Sequence, residues 1–320
     1  MASLSKFFSR STLFVFAPAV LPACGAQSLV LVAPSELDSS SQTDMAVFRS
    51  DTSMDIAKFD LPLPKPPFFT QVSAGSFFTC AIKGDRSLVC WGYMEDAVTS
   101  TPGGNFIQIS AGRSHACGIR EDSMVACWGS NDSGESEPPP GPFTQISAGP
   151  NVTCGLRENG IIECWGRKDR TQPPNDNFEY TQVSTGHYFT CGLRSDKTVV
   201  CRGPGQSSVQ SPDGQFAQVS AGYHICGIRI NGTIDCWGNH GPPKPPSGNF
   251  KQISVGFSPI CAIAKNNTVS CWGNNYSGGS PDGVFLQISA GETHVCGVRT
   301  DNTIECRGSN DHGESTPPEQ

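Results

Sequence analysis

The sequence has no run of lysine or arginine, and charged residues make up only 16% of its 320 positions. Proteins that hold DNA or RNA need a basic face to neutralise phosphates. That lack, with a formal charge of −7, excludes nucleic acid as a partner class. Removing Lys6 and Arg10 with a leader that carries no acid leaves about −9 for the remainder. After the first two dozen residues no stretch is apolar and long enough to span a bilayer. Cys-x2-Cys pairs are absent, as is the full spacing of a calcium loop, so neither a metal nor a cofactor is expected. Nothing brings together a nucleophile, a base and an orienting group, so no catalytic residue is assigned and the chain is read as a non-enzyme. An enzyme of the lyase or hydrolase type, with its site in a central channel, is kept as an alternative.

Glycine (35) and proline (25) are plentiful and cluster at regular intervals, as between many short strands, which makes an all-β fold the first expectation. The N-terminus reads as a targeting segment over residues 1–23: Lys6 and Arg10 are its basic region, Thr12 to Val20 its apolar stretch. Leu21-Pro22-Ala23-Cys24 resembles the lipobox of bacterial lipoproteins, which makes Cys24 a candidate lipidated first residue and the only expected route to a membrane. Ordinary cleavage after Ala26 is the alternative. Residues 24–67 hold Ser39-Ser40-Ser41 and end in Pro62, Pro64, Pro66 and Pro67, and read as a flexible tether stiffened near its end. The chain is thus expected to be exported, as an envelope lipoprotein or a secreted protein.

Residues 68–320 are periodic. Fourteen of the 15 cysteines form seven pairs: Cys80 with Cys90, Cys117 with Cys127, Cys154 with Cys164, Cys191 with Cys201, Cys226 with Cys236, Cys261 with Cys271 and Cys296 with Cys306. Each pair is separated by ten positions, and successive pairs lie 37 or 35 residues apart. Each copy opens with an aromatic, any residue, Gln, Val or Ile, Ser, a small residue and Gly, as in Phe69 to Gly75 and Phe285 to Gly291. Five copies follow the second Cys with Trp-Gly, at Trp91, Trp128, Trp165, Trp237 and Trp272, where copies four and seven have Arg202 and Arg307. Within a copy, runs such as Cys80-Ala81-Ile82 and Leu88-Val89-Cys90 read as two strands of a hairpin with a three-residue loop. Its third loop residue is Gly160, Gly232, Asn267 or Asn302 in four copies, as a left-handed position requires. That register sets the two cysteines opposite one another, within disulfide reach. Seven like spacings in an exported chain point to seven disulfides; zinc, the alternative, would be left under-coordinated by two cysteines per copy.

The frame Gly-x-x-His-x-Cys-Gly-(Val/Ile)-Arg, a polar turn, then Ile-x-Cys-Trp-Gly, seen from Gly291 to Arg307 with Arg in place of Trp, resembles the repeat of the regulator of chromosome condensation family. More narrowly it is similar to an exported, cysteine-rich bacterial type of that repeat. The resemblance runs from about Phe68 to Gln320 and implies a seven-bladed β-propeller with one hairpin disulfide per repeat. Nuclear members of the family promote guanine-nucleotide exchange and touch chromatin; the leader, the cysteines and the acidic balance all argue against those roles in this chain. His115, His224 and His294 stand where other copies have Phe78, Val152, Phe189 and Pro259, and are read as structural. The seven recurring glutamines, Gln71 to Gln287, are read as inter-blade framework, and the polar turns Ser130 to Gly134 and Ser309 to Gly313 as solvated turn chemistry.

Function is sought where the copies disagree. Between the frame Gly and the first Cys the residues are diverse, and in an up-and-down blade the segment after the third strand emerges at the same end. Phe77, Tyr93, Arg113, Asn151, His187, Tyr188, Tyr223, Phe257, Tyr276 and Glu292 are therefore the candidate binding residues, with Asp132, Lys168 and His240 on the same face. Aromatics and arginine on such a ring suit a protein hot spot. A protein is the expected partner, and a glycan the alternative.

Overall fold

In the computed structural model the described residues are 68–93, 100–167, 173–174, 176, 178–203, 208–238, 242–273 and 276–318; the leader, Cys24, the tether, Lys168 and His240 lie outside them. The described residues form seven antiparallel sheets and no helix. Six sheets have three strands, and the fourth in sequence carries a short extra strand, Ser208–Val209, on its outer edge. In the first blade the strands are Phe69–Ala74, Phe78–Lys83 and Leu88–Gly92. The seventh repeats them as Phe285–Ala290, His294–Arg299 and Ile304–Gly308. The protein is a seven-bladed β-propeller, each blade built from its own repeat.

The recurring frame becomes physical in the first, innermost strand of each blade. That strand is an edge, and its outward N–H groups need acceptors. The preceding blade supplies them. Each frame glutamine accepts, through Oε1, the N–H of the next blade's frame Val or Ile at 2.8–3.0 Å, from Gln71 with Ile109 round to Gln287 with Val72. Each frame serine does the same for the residue two further on, from Ser73 with Ala111 to Ser289 with Ala74, at 2.8–3.0 Å. The last link of both series joins repeat seven to repeat one, so the ring closes without any strand being exchanged.

The apolar core lies in the seams between successive blades rather than inside any one blade. Phe78, Cys80, Phe106, Ile109 and Trp128 bridge blades one and two, and Phe69, Val72, Trp91, Cys296 and Val298 bridge seven and one. The opening aromatic of every repeat is 5% exposed or less. At the seam between blades seven and one the segment after the last strand closes over blade one, where the carbonyl of Glu314 accepts both Trp91 Nε1–H and the Thr79 hydroxyl at 3.0 Å.

All seven expected disulfides are present. Cys80 is bonded to Cys90, Cys117 to Cys127, Cys154 to Cys164 and Cys191 to Cys201. Cys226 is bonded to Cys236, Cys261 to Cys271 and Cys296 to Cys306. Each bridge joins directly opposed residues of the second and third strands, with Cα atoms 4.0–4.1 Å apart. The sulfurs are thus paired within their own hairpins, which removes the zinc alternative. The third hairpin-loop residue has positive φ in all seven copies, including Arg86 (68°), Ser123 (66°) and Lys197 (72°). A side chain there costs roughly 1 kcal/mol. Lys197→Gly is accordingly expected to stabilise the propeller by about 0.5–1 kcal/mol, read as a higher urea midpoint at unchanged slope; an unchanged or lower midpoint would refute the strain at this turn.

The frame glycines Gly75, Gly112, Gly149, Gly186, Gly222, Gly256 and Gly291 meet at the axis. A Cβ on Gly112 would lie 2.6 Å from the carbonyl oxygen of Gly149, and the same approach to the next blade recurs round the ring. On Gly256 it would overlap the carbonyl of Gly291 outright, against backbone that cannot swing aside. Gly256→Ala should cost about 2–3 kcal/mol by overpacking, checked by denaturant unfolding; a wild-type midpoint would show that the axis yields.

Candidate binding face at the channel mouth

The glycine ring pinches the channel, and just beyond it the first loops open into a depression of about 70 Å³. Its lining includes Ser76, Arg113, Pro150, His187, Phe257 and Glu292, one residue from each of six repeats. The loops are held by the ring itself: His187 N–H donates to Gly222 O, Tyr223 to Gly256 O, Phe257 to Gly291 O and Glu292 to Gly75 O, at 3.0–3.1 Å. Backbone bonds also tie these loops to the segments after the third strands. Tyr93 N–H donates to Phe77 O, Ser130 to Ser114 O and Ser309 to Thr293 O. The expected shared end is therefore observed in these blades.

The ten candidates separate into groups. His187, Tyr188, Tyr223 and Phe257 form one aromatic cluster on blades four to six, with Phe257 ring centroids 4.8 Å from His187 and 5.0 Å from Tyr223, and Tyr188 5.8 Å from Tyr223. Tyr188 and Phe257 are each 37% exposed. Phe77 and Tyr93 form a second cluster around His312, at 5.3 and 5.0 Å, on blade one. Sequence reasoning misses His312 because it sits in the repeat that precedes this blade only through ring closure. Arg113 and Glu292 stand on blades two and seven, on either side of Ser76. Arg113 is exposed, while one carboxylate oxygen of Glu292, Oε2, is buried and accepts no hydrogen bond. Asn151 and Tyr276 are turned partly to framework: Asn151 Nδ2 donates to Glu135 at 3.4 Å, and Tyr276 OH donates to Gly279 O at 2.8 Å, its burial pushing the phenol up to about 12.

The histidines that precede the cysteines are buried and belong to the seams. His115 Nε2 lies 2.7 Å from Thr153 Oγ1, and His294 Nε2 2.8 Å from Thr79 Oγ1, in each case across to the next blade. Each threonine hydroxyl is spent on a carbonyl, Glu135 O or Glu314 O, so Nε2 must be the donor. Burial holds both imidazoles down to about 4, against a weaker upward pull from Glu135 and Glu314 respectively. Among the described residues no group of three or more His, Cys, Asp or Glu side chains is placed to hold a metal ion.

Comparison with known proteins agrees with this architecture. The ectodomain of the Arabidopsis thaliana receptor kinase ACR4, described as the CRINKLY WD40 ectodomain, superposes with a TM-score of 0.66 at 28% identity, covering 78% of this chain and 99% of that one. The ectodomain of the Physcomitrella patens receptor kinase CR4 gives 0.66 at 25% identity, over 75% and 73%. Yeast RCC1 (Prp20), in its complex with Kap60, shares the fold at 13% identity with a TM-score of 0.58, over 75% and 80%. No curated protein sequence matches the chain. A family model described as the regulator of chromosome condensation (RCC1) repeat matches residues 69–96, 106–135, 250–278 and 285–314. The remaining three blades carry the same frame, register and disulfide, so the chain is a seven-bladed propeller in which four repeats match the regulator of chromosome condensation repeat.

Proposed function

We propose that this propeller is an exported, non-catalytic binding protein that takes a protein partner on the loop face around the channel mouth. The observation that carries the reading is the contrast between frame and loops. Seven copies keep identical inter-blade bonds, and the loops they hold differ and set a partly exposed aromatic cluster beside charged residues. Rigid aromatics on a face that also carries an arginine and a carboxylate are the composition of a protein hot spot. Export is supported by seven disulfides, which persist in oxidising compartments, and by the likeness to receptor ectodomains. Lipidation of Cys24 would tether the ring to a membrane; intact-mass spectrometry of the mature chain tests it, and a mature N-terminus at Gln27 would rule it out.

Replacing Phe77, Tyr188, Tyr223 and Phe257 together by Ala tests the face. Pull-down from the native envelope or medium is expected to lose the partner by tenfold or more, with the melting temperature within a few degrees of wild type. Undiminished capture would reject this face. Binding to a glycan array, lost in the same variant and unaccompanied by any captured protein, would transfer the face to the glycan alternative.

A further inference from the structure

We propose that the seam between blades five and six, at the end of the propeller opposite the loop face, is a binding site for a small organic carboxylate with an apolar body. The site shares no residue with the loop face and goes beyond the protein-binding reading above.

A depression of about 300 Å³ lies there, between the start of the strand Phe250–Val255 and the hairpin end of the preceding blade. That volume is at the lower end of the range that small-molecule sites occupy. Ala217, Ile230 and Phe250 give it an apolar side. Its charged lining is Arg229, Lys251 and Lys265 with no acid, in a chain that carries 29 acids against 22 lysines and arginines. The seam is also where the copies depart from their frame. In the other six copies the third residue after the first Cys is a cation, from Lys83 to Arg299, and the five arginines among them cover aromatic rings. Copy six has Ala264 at that place and carries the cation one residue on, at exposed Lys265, whose ammonium no described residue takes. Lys251 is the only charge at its frame position, which is Thr in three copies. Ile230 is the only large apolar side chain at its own, and it is left 65% exposed. Arg229 is already engaged, with Asp235, with Asp213 O and with the Phe216 ring. Lys251 Nζ, by contrast, donates to the neutral Asn267 Oδ1, two residues beyond Lys265, so two ammonium groups without a counter-charge stand at one hairpin loop. Like charges so held repel, and an anion between them relieves both. The exposed Ile230 side chain beside them adds apolar surface, whose burial favours an anion that carries a hydrocarbon body.

The test is saturation-transfer NMR on the full chain with hexanoate, compared with acetate, hexan-1-ol and inorganic sulfate. Hexanoate is expected to bind in the low millimolar range, and each of the other three about tenfold more weakly or worse. Lys251→Thr with Lys265→Ser installs residues that other copies hold at these positions, Thr144 and Ser195, so the variant should keep the natural melting temperature within a few degrees. Its affinity for hexanoate should fall about tenfold or more. Ile230→Ser, again after Ser195, should weaken hexanoate about fivefold. Full hexanoate binding by the double lysine variant, or hexan-1-ol binding as tight as hexanoate, overturns the proposal. Sulfate binding equal to hexanoate overturns it as well, because the seam would then be an unselective basic patch. The fourfold alanine variant of the loop face should bind hexanoate as the natural chain does, so failure of the protein-binding face and failure of this site have separate signatures.

Discussion

Reduction of the seven disulfides is expected to leave the propeller unfolded at ambient temperature. Each bridge closes a loop of about ten residues, and the chain-entropy relation assigns such a loop roughly 2–3 kcal/mol. These contributions need not add, since neighbouring hairpins share seams. Even half of the nominal total would match the about 5–15 kcal/mol of net stability a domain ordinarily holds. The core gives little reserve, because it is divided among seven seams, each closed by a handful of side chains. The first cysteine of every pair is 0% exposed, so reductant will reach it only through opening. The experiment is therefore unfolding in denaturant with a phosphine reductant, thiol blocking, and dilution into buffer. The blocked chain should show no β signal by circular dichroism, and the oxidised chain should recover it. A single pair replaced, Cys226→Ser with Cys236→Ser, should cost about 2–3 kcal/mol. A reduced chain that refolds with the oxidised midpoint would show that the seams suffice and that the bridges serve some other end.

Fold was legible in the sequence because a repeat exposes its own frame. Gln71 and Gln287 sit at the same place relative to their cysteines, and only a partner that also repeats could satisfy both. The glutamines read as inter-blade framework, and the bonds bear this out. The cysteines read as hairpin pairs from their spacing alone, and Cys127, Cys164, Cys201, Cys271 and Cys306 each face the expected partner because the three-residue loop leaves the register no other choice. The serines two places after the glutamines do equal work, yet serine is common near turns and its spacing alone carries no such signal. Left-handed turns are expected where Gly or Asn marks them; Arg86, Ser123 and Lys197 take the same φ because the hairpin register imposes it, against their own preference. The place of ring closure was not legible, since it depends on Asn302 O accepting the N–H of Phe69 and on Glu314 lying over Trp91, contacts between the two ends of the repeat region. The candidate face was legible as a set of variable positions. Which of them cluster was not: His187 meets Phe257 across blade five, where repeat five has one residue fewer between the frame Gly and the first Cys, and a contact between side chains two repeats apart follows only from the placement of the blades.

Acid should loosen the ring at two seams, and the loss should begin well above the carboxylate range. His115 and His294 are 1% and 0% exposed, and burial lowers each from an ordinary 6.5 to about 4. Between those values the unfolded chain binds more protons than the folded one, so stability is complete above about pH 6.5, falls as pH drops toward 4, and loses nothing more from the histidines below that. At 1.36 kcal/mol per pH unit the two sites together set an upper bound of roughly 7 kcal/mol. Glu135 and Glu314 act in the same direction at lower pH. Burial raises both, but hydroxyl and backbone N–H donors, from Ser130 and Ser133 at one and from Ser309 and His312 at the other, together with the neighbouring histidine, hold them below the ordinary value of 4.5. Their contribution persists until pH falls through that depressed range. The diagnostic variant is His115→Phe with His294→Phe, because Phe78 and Phe189 already fill this frame position at 2% and 1% exposure. Thr153 and Thr79 keep their bonds to Glu135 O and Glu314 O in that variant. Urea midpoints measured from pH 7.5 to 4.5 should fall steeply for the natural chain and stay nearly flat for the double variant, with the two proteins within about 1 kcal/mol of each other at pH 7.5. Parallel slopes in the two proteins would mean that other groups carry the acid response. A drop confined to the double variant at neutral pH would mean that the imidazole–threonine bonds matter to the seams more than the absence of a proton does.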